Sequence, residues 1–201
     1  TTPKPQKGNP KPRVFRYTSS KAVINRLGFN NKGVDYLASK IKNKKFNAII
    51  GVNIGANKTS TKEKRIEDYK VCFEKIYQYA DYVTVNISSP NTPELRNLHD
   101  PNELEKIFES INSIKIKNAS KIPVFLKISP DEDDVTIEKI LKIYKDLQIC
   151  GLIVSNTSID KNILENCQHE GGISGKPLFI KSSELIRKIK QIDDEVFLIG
   201  V

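Results

Sequence analysis

YVTVN (residues 82–86) is a short apolar run that closes on an amide, and three other stretches share its form: NAIIGVN (47–53), PVFLK (123–127) and GLIVSN (151–156). Runs of this kind, apolar on both faces, suit strands buried on both sides, as in a parallel sheet covered by helices. In a barrel of alternating strands and helices, the C-terminal ends of the strands carry the active site. Asn53, Asn86, Lys127 and Asn156 would then converge on one face of the molecule.

Working outward, the segments between these runs have helical spacing. Ile66, Tyr69, Phe73, Ile76, Tyr77 and Ala80 form one apolar stripe, and Leu104, Ile107, Phe108, Ile111 and Ile114 a second, entered through Asp100-Pro101 as cap and first-turn proline. Ile137, Ile140, Leu141, Tyr144 and Leu147 form a third. The spacing predicts strands over 47–54, 82–87, 123–128, 151–155 and 196–199, a short helix within VDYLASKIKNKK, and a helix over 182–192. The opening TTPKPQKGNPKPRVFR reads as a loop arm leading to an extended segment or hairpin. Strand and helix alternate, so the fold class is α/β: either an open doubly wound sheet or a closed barrel. Polar groups at nearly every strand end favour the (β/α)8 barrel, because an open sheet concentrates its ligand residues near one switch point.

With 201 residues, a single domain over 1–201 is expected, below the usual length of a full barrel. The absence of Met, and a strand-like run reaching Val201, lead to the expectation of an incomplete barrel lacking N- and C-terminal units. The net charge of +9 comes from lysines spread among acids on helical faces, which reads as a solvated basic surface. No aromatic stacking motif or basic recognition helix supports a nucleic-acid partner. Three cysteines without C-x-x-C spacing support neither a disulfide framework nor a zinc site. His99 and His169 read as surface histidines, and the acidic run Asp131 to Asp134 as a favourable helix start; no metal is expected.

The segment NISSPNTP (86–93) packs amides, hydroxyls and prolines into the loop after one strand. Alone it would be an Asn/Pro turn, Lys127 a snorkelling lysine, and GGISG (171–175) a flexible loop. Together with NRLGFNN (25–31), GVNIGANK (51–58), LKISPD (126–131) and SNTS (155–158), in this order, they resemble the quinone-dependent second class of dihydroorotate dehydrogenases. The resemblance implies an FMN-containing barrel that oxidises dihydroorotate to orotate in pyrimidine synthesis and passes electrons to ubiquinone or a related quinone. It implies attachment, through a region preceding this chain, to the bacterial inner membrane or the mitochondrial inner membrane.

Carried over residue by residue, the resemblance places the catalytic base at Ser89, where first-class enzymes have cysteine. A serine hydroxyl is a weak base at neutral pH and depends on an ordered pocket. Substrate contacts fall on Asn25, Arg26, Leu27, Gly28, Phe29, Asn86, Asn91, Asn156 and Thr157. Flavin contacts fall on Asn53, Asn86, Lys127, Ser155 and Gly175, with the lysine suited to negative charge on the reduced flavin. Glu94 stands where the family usually has glycine, and Ser155 where threonine is common. First-class dihydroorotate and dihydropyrimidine dehydrogenases remain the alternatives, opposed by Ser89 and by NRLGFNN respectively.

Overall fold

The computed structural model describes residues 1–43, 47–88 and 101–201. Two antiparallel strands come first, β1 (Val14–Tyr17) and β2 (Ala22–Asn25), followed by helix α1 (Val34–Ile41). The chain then alternates: β3 (Gly51–Ile54), α2 (Lys62–Ile76), β4 (Tyr82–Asn86), α3 (Pro101–Lys117), β5 (Val124–Ile128), α4 (Asp134–Asp146) and β6 (Gly151–Val154). A 3-10 turn, Lys161–Ile163, leads to β7 (Gly172–Gly175), α5 (Lys176–Ile192) and β8 (Leu198–Gly200).

Strand order separates the two architectures that periodicity left open. The parallel sheet runs β3-β4-β5-β6-β8, each strand beside the next parallel strand in the chain, with no reversal of order. A doubly wound sheet would contain a switch point. Consecutive helices also pack against one another, α1 on α2, α2 on α3 and α3 on α4, so they form one outer layer. The result is a singly wound arc of a (β/α)8 barrel.

Burial explains why these segments hold their places. Tyr69, Phe73 and Ile76 of α2, Leu104, Ile107 and Ile111 of α3, and Ile137 and Ile140 of α4 join Val83, Val85, Leu126, Ile128, Leu152 and Val154 in one core. Burying each such side chain favours folding by about 1.5–3 kcal/mol. Helix α4 starts where Asp133 accepts a hydrogen bond from Thr136 N at 2.7 Å, an N-cap that satisfies one orphan donor. The acidic run therefore does favour a helix start, although Asp131 is used elsewhere.

Several boundaries differ from the expectation. The first parallel strand covers only Gly51–Ile54; Ile49 is 81% exposed, and Ile50 is tied by its N–H and carbonyl to the Asp81 turn. Helix α5 begins six positions earlier than periodicity suggested, at Lys176 in place of Ser182, with Pro177 in its first turn. Asp100 lies outside the described residues, while α3 does open at Pro101. A second sheet, β1-β2-β7, was not foreseen beyond the hairpin itself. Strand β2 pairs antiparallel with β7, setting Asn25 opposite Gly172 and Ala22 opposite Gly175.

Candidate active site

The C-terminal strand ends do converge. Asn86 and Lys127 are register partners on adjacent strands, and Lys127 in turn faces Ile153 of β6. Just beyond these ends lies a cavity of about 410 Å³ whose wall includes Lys127, Ser155, Asn156, Thr157 and Gly175. Five of the residues carried over from the resemblance thus meet around one space of ligand size. Ser174, Leu178, Phe179, Ser182 and Val201 complete the wall. Leu178 and Phe179 precede the helix expected over 182–192, and the structure brings them to the wall because that helix starts at Lys176.

The lysine's setting is unusual. Burial alone pushes the Lys127 ammonium below its ordinary pKa, and no carboxylate among the described residues pairs with it. A half-buried cation without a counter-charge is costly, so this position favours an anionic or electron-rich ligand. Two strands away on β3, Asn53 holds its side-chain Oδ1 buried with no hydrogen-bond partner among the described residues. Buried amide oxygens are nearly always satisfied, and an unsatisfied one at a strand end fits a ligand N–H.

A second feature is a relay of side chains across the strand ends. Asn156 Nδ2 donates to Ser88 Oγ at 3.1 Å and to Ser88 O at 2.9 Å. Ser88 Oγ donates onward to Asn86 Oδ1 at 3.1 Å, an oxygen that also accepts from Ser88 N. Tyr69, wholly buried in α2, donates its hydroxyl to Asn86 O at 2.8 Å. Asn156 Oδ1 accepts from Thr157 N at 2.8 Å. The amides expected at the site are therefore held in fixed orientations by one another. Ser88 lies within the NISSPNTP loop without an assigned role, and Tyr69 is an ordinary apolar-stripe residue of its helix until the fold brings it to Asn86.

The Asn25–Phe29 block reaches the strand ends through the small sheet and the opening arm, without lining the cavity. Gly171 must be glycine because a Cβ there would lie 2.3 Å from Asn25 O, and at Gly175, with φ +92°, a Cβ would lie 2.4 Å from Lys21 O. These close backbone approaches give Gly171 and Gly175 a packing role in the small sheet, beside the approach to flavin that the sequence suggests for GGISG. Phe29 lies against Gly55, just after β3. Gly28 is held by Gln6, whose Nε2 donates to the carbonyls of Gly28 and Phe29 while its Oε1 accepts from Asn57 Nδ2 and Lys58 N. The Arg26 guanidinium is engaged with Pro12 O at 3.0 and 2.9 Å and lies over the Phe15 ring; Leu27 is partly exposed. Ser89, Asn91, Glu94 and His99 lie outside the described residues.

His169 is not a free surface histidine. Its ring stacks on Phe15 at 3.8 Å, and its Nδ1 is hydrogen-bonded with Tyr17 OH at 2.7 Å, the phenol oxygen also accepting from Gln168 N. It joins the loop before β7 to the β1–β2 hairpin. Among the described residues no cluster of His, Cys, Asp and Glu could hold a metal, and no helix is long and apolar enough to cross a membrane.

This arrangement can be set beside known proteins. A family model described as dihydroorotate dehydrogenase matches residues 1–201. The chain belongs to the dihydroorotate dehydrogenase family. Relatives named dihydroorotate dehydrogenase (quinone) from Aliivibrio salmonicida (strain LFI1238) and Acinetobacter baylyi are 42% and 44% identical over 208 aligned residues. Both alignments cover all of this chain, which spans 62% of the length of those relatives. Among solved structures, ligand-free dihydroorotate dehydrogenase from Eimeria tenella matches with a TM-score of 0.88 and 31% identity over 99% of this chain and 62% of that one. The same protein in complex with ferulenol matches with a TM-score of 0.87 at 30% identity, over 99% of this chain and 60% of that one. The barrel arc is thus an arc of this family's fold.

Proposed function

We propose that the full-length protein is a quinone-linked dihydroorotate dehydrogenase that holds FMN and oxidises dihydroorotate to orotate in pyrimidine synthesis, meeting its quinone at a bacterial or mitochondrial inner membrane. The observation that carries this reading is the Lys127 ammonium, without a carboxylate partner among the described residues, in the wall of a cavity otherwise made of amides, hydroxyls and apolar side chains. That cavity, together with the unsatisfied Asn53 Oδ1, fits an electron-rich heteroaromatic cofactor. The names of the relatives, which specify quinone, support the class of acceptor.

Lys127, Ser155 and Gly175 would hold FMN, with Asn53 and Asn86 as amide contacts. When bound, the flavin supplies the acceptor for the hydride removed from the substrate. Lys127 keeps a positive charge where negative charge develops. Asn86, Asn156 and Thr157 present neutral donors and acceptors suited to the imide edge of a pyrimidine ring, and Asn25 to Phe29, with Asn91, would complete the substrate contacts. Ser89 would take the C5 proton. It follows Ser88, whose hydroxyl and carbonyl are both held by Asn156, so the loop carrying the base leaves β4 from a fixed point.

Replacing Ser89 by Ala in the full-length protein tests the role of the base. Turnover should fall by about 10²–10⁴-fold while orotate still binds. Unchanged turnover would remove Ser89 from the mechanism.

A further inference from the structure

Outside the cavity wall, a charged cluster ties three elements together. Lys181 of α5 donates to Asp131 Oδ1 at 2.7 Å and to Asp160 Oδ2 at 3.2 Å. Asp131 follows β5, and its carboxylate also accepts from Ser158 Oγ at 2.5 Å and Ile159 N at 2.8 Å. Asp160 returns its N–H to Ser158 Oγ at 3.1 Å and accepts from Asn162 N. Every one of these bonds converges on the segment that follows Asn156 and Thr157.

We propose that Lys181 is a positioning residue for the substrate: by holding Asp131 and Asp160 together it fixes the Asn156–Thr157 segment in the orientation that reads the pyrimidine ring. This rests on the dehydrogenase reading given above. The geometry of the segment supports it. Asn156 N donates to Ile128 O at 3.0 Å, which anchors the near end to β5. Ser158, wholly buried, exchanges two main-chain bonds with Ile173 of β7, at 3.1 and 2.7 Å, and receives the cluster through its hydroxyl. The two substrate residues are therefore spanned by two anchors, and the second is set by charge.

Without the ammonium, two carboxylates would face one another across Ser158, and the segment would relax to separate them. The pair is more than a surface ornament: the Lys181 and Asp131 side chains are only 27% and 17% exposed, so water screens them incompletely. Burial works against the Lys181 charge, yet the hydrogen bonds and charges of Asp131 and Asp160 hold its pKa above the ordinary value. Lys181 does not itself line the cavity, although its α5 neighbours Leu178 and Ser182 do, so it acts through the segment.

The test uses full-length, flavin-loaded protein with Lys181→Met, Lys181→Arg, Asp131→Asn and the double variant Lys181→Met/Asp131→Asn. Orotate affinity by calorimetry and the KM for dihydroorotate should each worsen by about tenfold in Lys181→Met. Flavin content and the KM for quinone should stay unchanged. Lys181→Arg should restore affinity to within about threefold, and the double variant should be no worse than the weaker single one, because both remove the same link. Unchanged orotate affinity in Lys181→Met, loss of flavin in parallel with orotate, or failure of arginine to restore binding would each overturn the proposal. If the unmutated protein binds no orotate, the dehydrogenase reading fails first and is recognisable as such.

Discussion

Replacing Asn156 by Ala should reveal how far the strand ends form one cooperative unit. The substitution removes donors at 2.9 and 3.1 Å from Ser88 O and Oγ, and an acceptor at 2.8 Å from Thr157 N. Ser88 is only 2% exposed, so water cannot replace those donors freely. A buried acceptor left without a donor costs about 1–3 kcal/mol; two are affected, one of them the adaptable hydroxyl, and the expected loss of unfolding free energy is about 2–3 kcal/mol. Ser88→Ala removes the hydroxyl that passes the hydrogen bond from Asn156 to Asn86, at a cost of about 1 kcal/mol. The double variant should then be less damaged than the sum of the singles by about 1 kcal/mol, because the Oγ bond can be lost only once. Urea unfolding of the flavin-free full-length protein measures all three, keeping ligand linkage out of the comparison. Additivity within about 0.3 kcal/mol would refute the relay, and with it the claim that Ser88 transmits the position of Asn156 to Asn86.

Other expectations follow from single residues. Lys127→Met keeps the stem and deletes a charge that burial disfavours, so it should stabilise the flavin-free protein while weakening FMN binding by about 10²-fold, checked by fluorescence titration. The sign of its pH dependence is set by burial, which lowers the native pKa of Lys127 below the unfolded one. Its charge is therefore a full burden below the native pKa, and the stabilisation by methionine should shrink as pH rises through that pKa towards the ordinary 10.5. Gly55→Ala would set a Cβ 2.6 Å from the Phe29 ring, so orotate affinity should fall while flavin content is retained, as calorimetry and absorbance would show. Asp133→Ala, at the N-cap of α4, should cost about 1 kcal/mol in urea unfolding and leave substrate KM unchanged.

Much of the fold was legible because buried parallel strands and amphipathic helices carry distinct apolar patterns. Val124 to Ile128 and Gly151 to Val154 fell within a residue of their expected limits for that reason. What failed had a different physical origin. Strand β7 is GISG, with only Ile173 to mark it; Gly171 just before it and Gly175 at its end approach the backbone of Asn25 and Lys21, a long-range demand invisible in local periodicity. Ile49 looks like core yet is exposed because the chain is held by Asp81 before the ladder begins. Residue types in a fixed order were enough to single out Lys127, Ser155, Asn156 and Thr157, which the structure brings to one cavity wall. Tyr69 and Lys181 were not legible, nor was the bond from Asn156 to Ser88, since each depends on what the fold puts side by side.

The central claim is that these strand ends belong to a flavin enzyme oxidising dihydroorotate. It is tested most directly by adding dihydroorotate anaerobically to the purified full-length protein, following flavin absorbance, and then adding a quinone analogue. The account predicts bleaching on substrate and recovery on quinone. A flavin that stays oxidised in excess dihydroorotate, or a protein that takes up no FMN, would contradict it.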